Sequence, residues 1–431
     1  MTSLTPPSPT PPRWLHQAEQ ALAATVWPAL EATCHATTQR VVQAMAQARL
    51  GEEHFYSVTG YGHDDLGRDA IDTIFAAALQ AQAAIVRPQL VSGTHALTVA
   101  LRAVTRPQQT LVCVTGDVYD TLEEVIGLRG NHPHSLLAQG VVYHAVSLID
   151  EQAPPTQALK LVASLPTEQQ ALIRQADTLY IQRSRGYSLR PTLTPTQCQS
   201  LIADLKTHNP NAIIMVDNCY GEFIGHDEPT AYGADLMAGS LIKNPGGGIV
   251  PTGGYVAGRA DLVEAAALWL TCPGVGSHGG YMFDMTRTLA MGLYLAPNVV
   301  LNALKGMSLA AWALEHECGL TVSPRWNEPR GDIIQLLHLG NPKRMEHFCR
   351  LLQAHCPVNA HLSPIPSEAP GYESALLMAG GTFMDGSSVE LSADGPLRPP
   401  YTLFLQGGLS YSHTRWVVSQ LVALKSQWLV E

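Results

Sequence analysis

Short apolar runs alternate with amphipathic stretches through the middle of this chain. We interpret as strands the apolar runs 84–90, 110–114, 141–146, 178–181, 212–216 and 253–257, and as helices the stretches 69–82, 92–104, 121–127 and 195–207. Apolar runs of strand length separated by helical patterns are typical of βαβ units. The pattern therefore predicts an α/β fold built on a large, mostly parallel sheet.

The two ends of the chain follow a different pattern. Residues 1–12 are rich in Pro, Ser and Thr, which predicts disorder, and residues 13–48 have the composition of one or two helices. After residue 300, a long helix over 301–315 precedes predicted strands near 332–338, 388–391 and 401–405. We therefore divide the chain into an N-terminal tail and helical segment (1–50), a large sheet domain (51–300) and a small C-terminal α+β domain (301–431).

Composition narrows the class of protein. The formal net charge is −10, which gives no basic surface for a nucleic acid, and no stretch of about 18 uninterrupted apolar residues predicts a membrane span. The 8 cysteines are scattered without a C-x-x-C pair, which predicts reduced thiols and a cytoplasmic protein. Because there is no HExxH motif or tight cluster of His and Cys, we predict no metal site.

Two residues suggest an aldehyde cofactor. Asp217 follows the apolar run 212–216, and Lys243 lies in the Gly-rich segment 239–248. An aspartate at the end of a buried strand can pair with a protonated ring nitrogen, and a lysine can form an imine with a flat aldehyde. Pyridoxal 5'-phosphate (PLP) needs both groups. The alternative, an ordinary strand-end aspartate and a turn lysine, stays open on these two residues alone.

Three further segments offer contacts for such a cofactor. Ser92 and Gly93 begin a predicted helix, where backbone N–H groups can bind a phosphate or where Ser92 can simply cap the helix. Tyr119 follows the strand 110–114 and either stacks on a ring or caps the next helix. The loop 182–187, which includes Gln182 and Arg185, either reaches a ring hydroxyl or a substrate carboxylate, or is solvated.

The order of these motifs resembles a known family. The matching segments are SGTH (92–95), GDVY (116–119), QRSR (182–185), VDNCYGEF (216–223), SLIKNPGGG (240–248), GGTF (380–383), SSVELSAD (387–394) and QGGL (406–409). Together they are similar to fold-type I PLP-dependent enzymes and, more narrowly, to the methionine γ-lyase-like family that is also named for aluminium resistance. The segment around Lys243 is the most specific part of the resemblance.

The resemblance implies an assembly and a set of cofactor contacts. It implies a homodimer or homotetramer with shared active sites, in which Tyr61 reaches into the neighbouring subunit's site. Lys243 is the implied Schiff-base lysine, Asp217 the partner of the ring nitrogen, and Tyr119 the ring that stacks on the cofactor. The implied phosphate donors are the backbone amides of Gly93 and Thr94 and the side chain of Ser240, and we count Ser92 and Gln182 as cofactor-binding too.

One departure from the family concerns the substrate carboxylate. Related lyases bind it with an arginine inside the late strand, where this chain has the segment 401–406 without an arginine. Arg398 is the nearest candidate, and its planar fork matches a carboxylate. Arg185 is the second candidate.

The resemblance implies a carbon–sulfur lyase acting on a small-molecule sulfur amino acid of the methionine, cystathionine or cysteine type, by β- or γ-elimination. An aminotransferase or decarboxylase stays open, because these enzymes share related carbanion chemistry. A non-enzymatic protein for metal tolerance or metabolite binding is a third possibility. The presence of both Lys243 and Asp217 favours an enzyme.

Overall fold

The structure is a computed structural model that describes residues 11–429. In this part of the chain the α-helices are α1 (Arg13–Thr25), α2 (Trp27–Gln47), α3 (Leu66–Ala78), α4 (Gly93–Val104), α5 (Asp120–Ile126), α6 (Thr167–Gln175), α7 (Pro195–His208), α8 (Ala260–Leu270), α9 (Thr286–His316), α10 (Pro342–Gln353), α11 (Tyr411–Ala423) and α12 (Lys425–Trp428). Helices are therefore confirmed within 13–48. Most of the segment predicted as disordered, 1–12, lies outside the described residues.

The strands form two separate sheets. The first contains β1 (Ala83–Arg87), β2 (Thr110–Cys113), β3 (Val142–Ala145), β4 (Thr178–Gln182), β5 (Ile213–Asp217), β6 (Leu236–Ser240) and β7 (Gly254–Gly258). The second contains β8 (Thr321–Ser323), β9 (Ile334–His338), β10 (Leu376–Ala379), β11 (Ser392–Pro396) and β12 (Thr402–Gln406).

The large sheet is mostly parallel, as predicted. Its strand order is β1-β7-β6-β5-β4-β2-β3, and only β7 runs antiparallel to its neighbours. In the centre of the sheet, Gln182 pairs with Asp217, and Asp217 pairs with Ala238. The carboxyl ends of β4 and β5 are therefore level, and β6 runs two residues further at the same edge, which is where open parallel sheets bind ligands.

The small sheet is antiparallel, in the order β10-β11-β12-β9-β8. Side chains alternate between its faces because successive Cβ atoms of a strand point to opposite sides. Leu403 and Leu405 pack into the core of the small domain. On the other face, Phe404 packs with Leu336 against Tyr187 of the large domain. This second face therefore covers the carboxyl end of the large sheet.

Helix α9 connects the two domains. Its buried residues from Leu289 to Leu304 belong to the core of the large domain, and those from Met307 to Leu314 belong to the core of the small domain. The predicted boundary at residue 300 thus lies inside one continuous helix. The prediction began this helix at 301, because Gly292 and Pro297 interrupt the helical pattern before it.

One predicted strand is misplaced, and the strands β6, β8 and β10 were not predicted. The predicted strand at 388–391 is wrong, because the strand β11 begins at Ser392. Upstream of it, the carboxylate of Glu390 accepts hydrogen bonds from the backbone N–H groups of Phe383 and Met384 at 2.9 Å each, which holds an irregular loop. The central strand β6 was not predicted, because its sequence LMAGS contains few residues that favour strands.

None of the helices within residues 11–429 combines the length and the apolar character that a membrane crossing requires.

Candidate active site

A cavity of about 220 Å³ lies at the carboxyl edge of the large sheet, beside the N-terminus of α4. The structure brings together here most of the site residues predicted from the sequence: Ser92, Gly93, Thr94, Tyr119, Gln182, Asp217, Ser240 and Lys243. We call it the Lys243 cavity.

Asp217 is a buried acid at the end of β5. One carboxylate oxygen accepts a hydrogen bond from the backbone N–H of Cys219 at 3.0 Å, and the other accepts one from the Tyr180 hydroxyl at 3.4 Å. Burial raises the pKa of Asp217, and the Cys219 N–H and the positive charge of Lys243 act in the opposite direction. A cation placed in the cavity would therefore stabilise the ionised carboxylate.

Lys243 follows β6 and begins a tight turn. A Cβ atom at Gly246 would lie 1.8 Å from the carbonyl oxygen of Leu241, so this turn requires glycine. The Nζ atom of Lys243 donates to the Ser388 hydroxyl at 3.3 Å and lies 4.0 Å from the centre of the Tyr220 ring. Burial lowers the pKa of Lys243, but the neighbouring Tyr220 and Cys219 outweigh it, and the net shift is upward.

The first turn of α4 forms one end of the cavity. The Ser92 hydroxyl accepts a hydrogen bond from the His95 N–H at 3.1 Å, so Ser92 is the helix cap. A Cβ atom at Gly93 would lie 3.3 Å from the Cβ of Ser240, so the glycine keeps this end open. The first N–H groups of a helix have no partner within it. This end can therefore accept an anion such as a phosphate.

Tyr119 is held by its neighbours on two sides. The Gln182 side chain accepts a hydrogen bond from the Tyr119 N–H at 2.7 Å and donates one to the Ser184 carbonyl at 3.1 Å. The Tyr119 hydroxyl shares a hydrogen bond with the Tyr372 hydroxyl. Burial raises the pKa of Tyr119 well above its ordinary value, so this phenol stays protonated.

Three predicted residues lie outside the lining of the Lys243 cavity. Arg185 is buried and Arg398 is exposed, and both line a second cavity of about 330 Å³ that shares Tyr119 and Gln182 with the first. Tyr61 is 82% exposed on a loop of the large domain. Whether any of the three binds substrate stays a prediction.

Among the residues that line or contact the cavity without having been predicted, four make notable contacts. Tyr220 follows Asp217 by three positions within the VDNCYGEF segment, so the sequence carried a signal for it. Thr121 reaches the Thr94 hydroxyl at 2.6 Å from the start of α5. Tyr372 and Ser388 come from loops of the small domain, and no local pattern indicates that they meet residues of the large domain.

The residues of the Lys243 cavity fit PLP on structural grounds. Asp217 makes no ion pair within 4.0 Å among residues 11–429, which leaves it available to a protonated ring nitrogen. Lys243 presents its amine to the same space, and the glycine at position 93 leaves room for a phosphate beside Ser240.

Comparisons with known proteins agree with this geometry. The methionine gamma-lyase family matches residues 13–426. The uncharacterized protein YnbB of Bacillus subtilis (strain 168) is 42% identical over 384 residues, 89% of each protein.

Solved structures share the fold of nearly the whole chain, as two examples show. One, from Listeria monocytogenes, is a proposed cystathionine beta-lyase involved in aluminum resistance, with a TM-score of 0.87 and 38% identity over 97% of this chain and 99% of that one. The other is a carbon-sulfur lyase involved in aluminum resistance from Clostridium novyi NT, with a TM-score of 0.87 and 36% identity over 96% and 95%. The fold is therefore that of fold-type I PLP-dependent enzymes, and the chain belongs to the methionine gamma-lyase family.

Proposed function

We propose that this protein is a PLP-dependent carbon–sulfur lyase that acts on a sulfur amino acid by β- or γ-elimination. The observation that carries the proposal is the convergence of Lys243 and Asp217 on one cavity whose far end is the N-terminus of α4. The family and the names of the relatives support the class of reaction.

Different residues of the chain would bind different parts of the cofactor. Lys243 would hold it covalently, and the Asp217 carboxylate would keep its ring nitrogen protonated. The backbone amides of Gly93 and Thr94, with the Ser240 side chain, would bind its phosphate. When bound, PLP supplies an electron sink for the charge that develops at the substrate's α-carbon.

Proton transfers would fall to Lys243 and Tyr119. Once the substrate amine replaces it, the free Nζ of Lys243 can remove the α-proton, and the Ser388 hydroxyl at 3.3 Å orients that nitrogen. The Tyr119 hydroxyl is hydrogen-bonded to Tyr372, and Tyr119 lines the cavity, so it would be placed to donate a proton to the departing sulfur. One water is consumed when the eliminated product hydrolyses, and the products are a thiol, a keto acid and ammonia.

A second copy of the chain would complete the site. The exposed Tyr61 lies on a loop whose backbone accepts a hydrogen bond from the Gly280 N–H at 3.1 Å, and the adjacent Tyr281 carbonyl accepts one from Gln89 at 2.6 Å. Val91, which follows Gln89 by two residues, is 71% exposed and lines the Lys243 cavity. Apolar side chains exposed around the mouth of a cavity are typical of an interaction surface.

We therefore propose a homodimer or homotetramer in which Tyr61 contacts the neighbouring copy's site. Light scattering gives the oligomeric state, and mixing inactive Lys243→Ala chains with inactive Tyr61→Ala chains tests the shared site. Hybrid assemblies should regain activity at one site if Tyr61 acts in the other copy. A fully active monomer contradicts the proposal.

The function is tested by incubating the purified protein with a panel of amino acids. We expect thiol and keto acid to be released from at least one sulfur amino acid without any added amino acceptor, and Lys243→Ala to abolish the release. A reaction that requires an amino acceptor would indicate an aminotransferase, and release of carbon dioxide a decarboxylase. A protein without turnover on any amino acid would favour the binding or tolerance function.

A further inference from the structure

The Lys243 cavity lacks a partner for the carboxylate that every amino-acid substrate carries. Among the described residues that line it, Lys243 is the only lysine or arginine. On the nearby small sheet, strand β12 presents Phe404 and Gln406 to this side, neither of which carries a charge. A carboxylate bound near Lys243 must therefore find its positive partner elsewhere.

The second cavity adjoins the first and contains that charge. Tyr119 and Gln182 line both cavities, so a single wall separates them. Arg185 and Arg190 line the second cavity on the side of the large domain, and Arg398 lines it on the side of the small domain.

The two arginines of the large domain are buried without a carboxylate partner. Each is 2% exposed, and neither makes an ion pair within 4.0 Å among residues 11–429. Arg190 donates to the carbonyl oxygens of Pro191, Gln182 and Ser184 at 3.1, 2.8 and 2.6 Å, and its Nε has no hydrogen-bond partner in the described part of the chain.

Arg185 has only weak contacts. Its Nε donates to the Thr192 hydroxyl at 3.3 Å, and its terminal nitrogens lie 3.4 and 3.5 Å from the Ser323 hydroxyl. Burial lowers the pKa of Arg185, with partial compensation from Asp332 and Glu328. A buried guanidinium held by hydroxyl groups alone retains most of its capacity to bind an anion.

The buried charges around this cavity do not balance. Asp332 is buried, and its carboxylate accepts hydrogen bonds from the hydroxyls of Ser184 and Thr192. It attracts Arg330 as well as Arg185 and Arg190, and buried Asp217 also attracts Arg190, so two buried carboxylates face three buried guanidinium groups.

The acids that line the second cavity itself are not buried. Asp117 and Glu151 are exposed, Asp120 is partly exposed, and Glu123 is paired with Arg129 at 3.0 Å. Water can solvate these four acids, whereas it cannot solvate the buried Arg185 and Arg190.

We propose that the second cavity is an anion subsite in which Arg185 and Arg190 bind a carboxylate, with Arg398 at its small-domain rim. The carboxylate belongs either to the amino-acid substrate, in which case the inference rests on the proposed lyase function, or to a free anion. The subsite would supply the positive charge for a carboxylate that related lyases supply with an arginine in the late strand, where β12 has none.

Anion binding is measured first, by calorimetric titration of the cofactor-loaded protein with sodium malonate at constant ionic strength. Loading the cofactor occupies the phosphate end of the Lys243 cavity, which leaves the second cavity for the probe. We expect Arg185→Gln to weaken malonate binding about tenfold, as the loss of a charge-assisted hydrogen bond would. Arg185→Lys should recover part of it. Arg325→Gln removes an exposed guanidinium paired with Glu315 and should bind as the wild type does.

The outcome does not depend on the lyase reaction. Absence of malonate binding to the wild-type protein, or equal binding by Arg185→Gln and Arg325→Gln, would overturn the subsite even if the protein is a lyase. Reduced binding by Arg185→Gln supports it even if no amino acid is turned over. Circular dichroism of Arg185→Gln confirms that the variant is folded.

Kinetics with the active amino acid then identify the source of the carboxylate. If the subsite binds the substrate, malonate should raise KM without changing kcat, and Arg185→Gln should raise KM. If it binds a free anion, malonate should bind without competing with the amino acid. Both results support an anion subsite, and they assign it to different ligands.

Discussion

The Lys243 cavity and the second cavity share a wall but are built in different ways. The first is formed mainly by residues that directly follow strands β4, β5 and β6 or begin helix α4, so the topology of one sheet brings them together. The second joins the loop after β4 to the segment around Arg398, which belongs to another domain. Local sequence motifs therefore point to the first cavity and only weakly to the second.

The two cavities also differ in charge. In the first, the acid Asp217 and the base Lys243 are both present, and a cofactor with a ring nitrogen and an aldehyde would engage both. In the second, buried arginines exceed buried carboxylates. The first cavity is thus suited to binding a reactive cofactor, and the second cavity is suited to binding an anion.

The largest effect is expected at Lys243. The change Lys243→Ala removes both the covalent anchor and the base, so we expect loss of measurable turnover. In the wild-type protein, borohydride reduction should fix the cofactor to Lys243, which peptide mass spectrometry can locate. A label on another lysine would show that the first cavity has been assigned the wrong role.

The next effect is expected at Asp217. Removing one partner of a buried charged pair costs about 3–5 kcal/mol, which corresponds to a rate loss of about 10²–10⁴-fold if the pair acts in the rate-limiting step. The change Asp217→Ala should therefore slow turnover by this amount while the cofactor's absorption band shows that it remains bound. Turnover close to that of the wild type would show that the ring nitrogen is stabilised by another group.

These residues also show how far the sequence alone leads. Lys243, Asp217 and the turn at Ser92 and Gly93 could be predicted because strand-end and helix-start positions have recognisable local patterns. The contacts of Lys243 with Ser388 and of Tyr119 with Tyr372 could not, because they depend on how the small domain packs on the large one.

The same limit applies to strands and to charges. Strand β6 is central and buried, but its small residues give no pattern of alternation. Arg190 was not predicted as a site residue, because a buried arginine without a carboxylate partner can be recognised only in three dimensions. The fold was therefore easier to predict than the parts of the site that come from two domains.

A smaller effect is expected at the rim of the second cavity. Lysine keeps the charge of Arg398 but loses the planar fork, so Arg398→Lys should raise KM about tenfold for every amino-acid substrate and leave cofactor occupancy unchanged. The matched change is Arg185→Lys on the opposite wall. If Arg185→Lys raises KM and Arg398→Lys does not, the carboxylate is bound by the large domain alone.

The smallest expected effect is a change in the stability of the protein when Asp394, an acid on the small sheet, is replaced. Asp394 of β11 accepts a hydrogen bond from the Gln406 amide at 3.0 Å, and it makes no ion pair within 4.0 Å among residues 11–429. Burial raises its pKa to about 6, and Lys243 partly opposes the shift. In this part of the chain Asp394 is an acid without a positive partner, whereas the unpaired buried groups of the second cavity are positively charged arginines.

The sign of the pH dependence follows from this shift. Below the unfolded pKa of about 3.9 the carboxyl is protonated in both states and costs nothing. As the pH rises from about 4 to 6, the unfolded chain ionises first, so the free energy of unfolding falls, and above pH 6 the penalty is constant. Since the side chain is partly accessible to water, the penalty above pH 6 is about 1–2 kcal/mol.

The change Asp394→Asn should therefore stabilise the protein by about 1–2 kcal/mol at pH 7.5 and by almost nothing at pH 4, as measured by urea unfolding. The control is Asp261→Asn, an exposed acid whose pKa is lowered by its hydrogen bonds to Arg259, which should not stabilise the protein at either pH. A loss of stability in Asp394→Asn at pH 7.5 would mean that the ionised carboxylate has a positive partner in the folded protein.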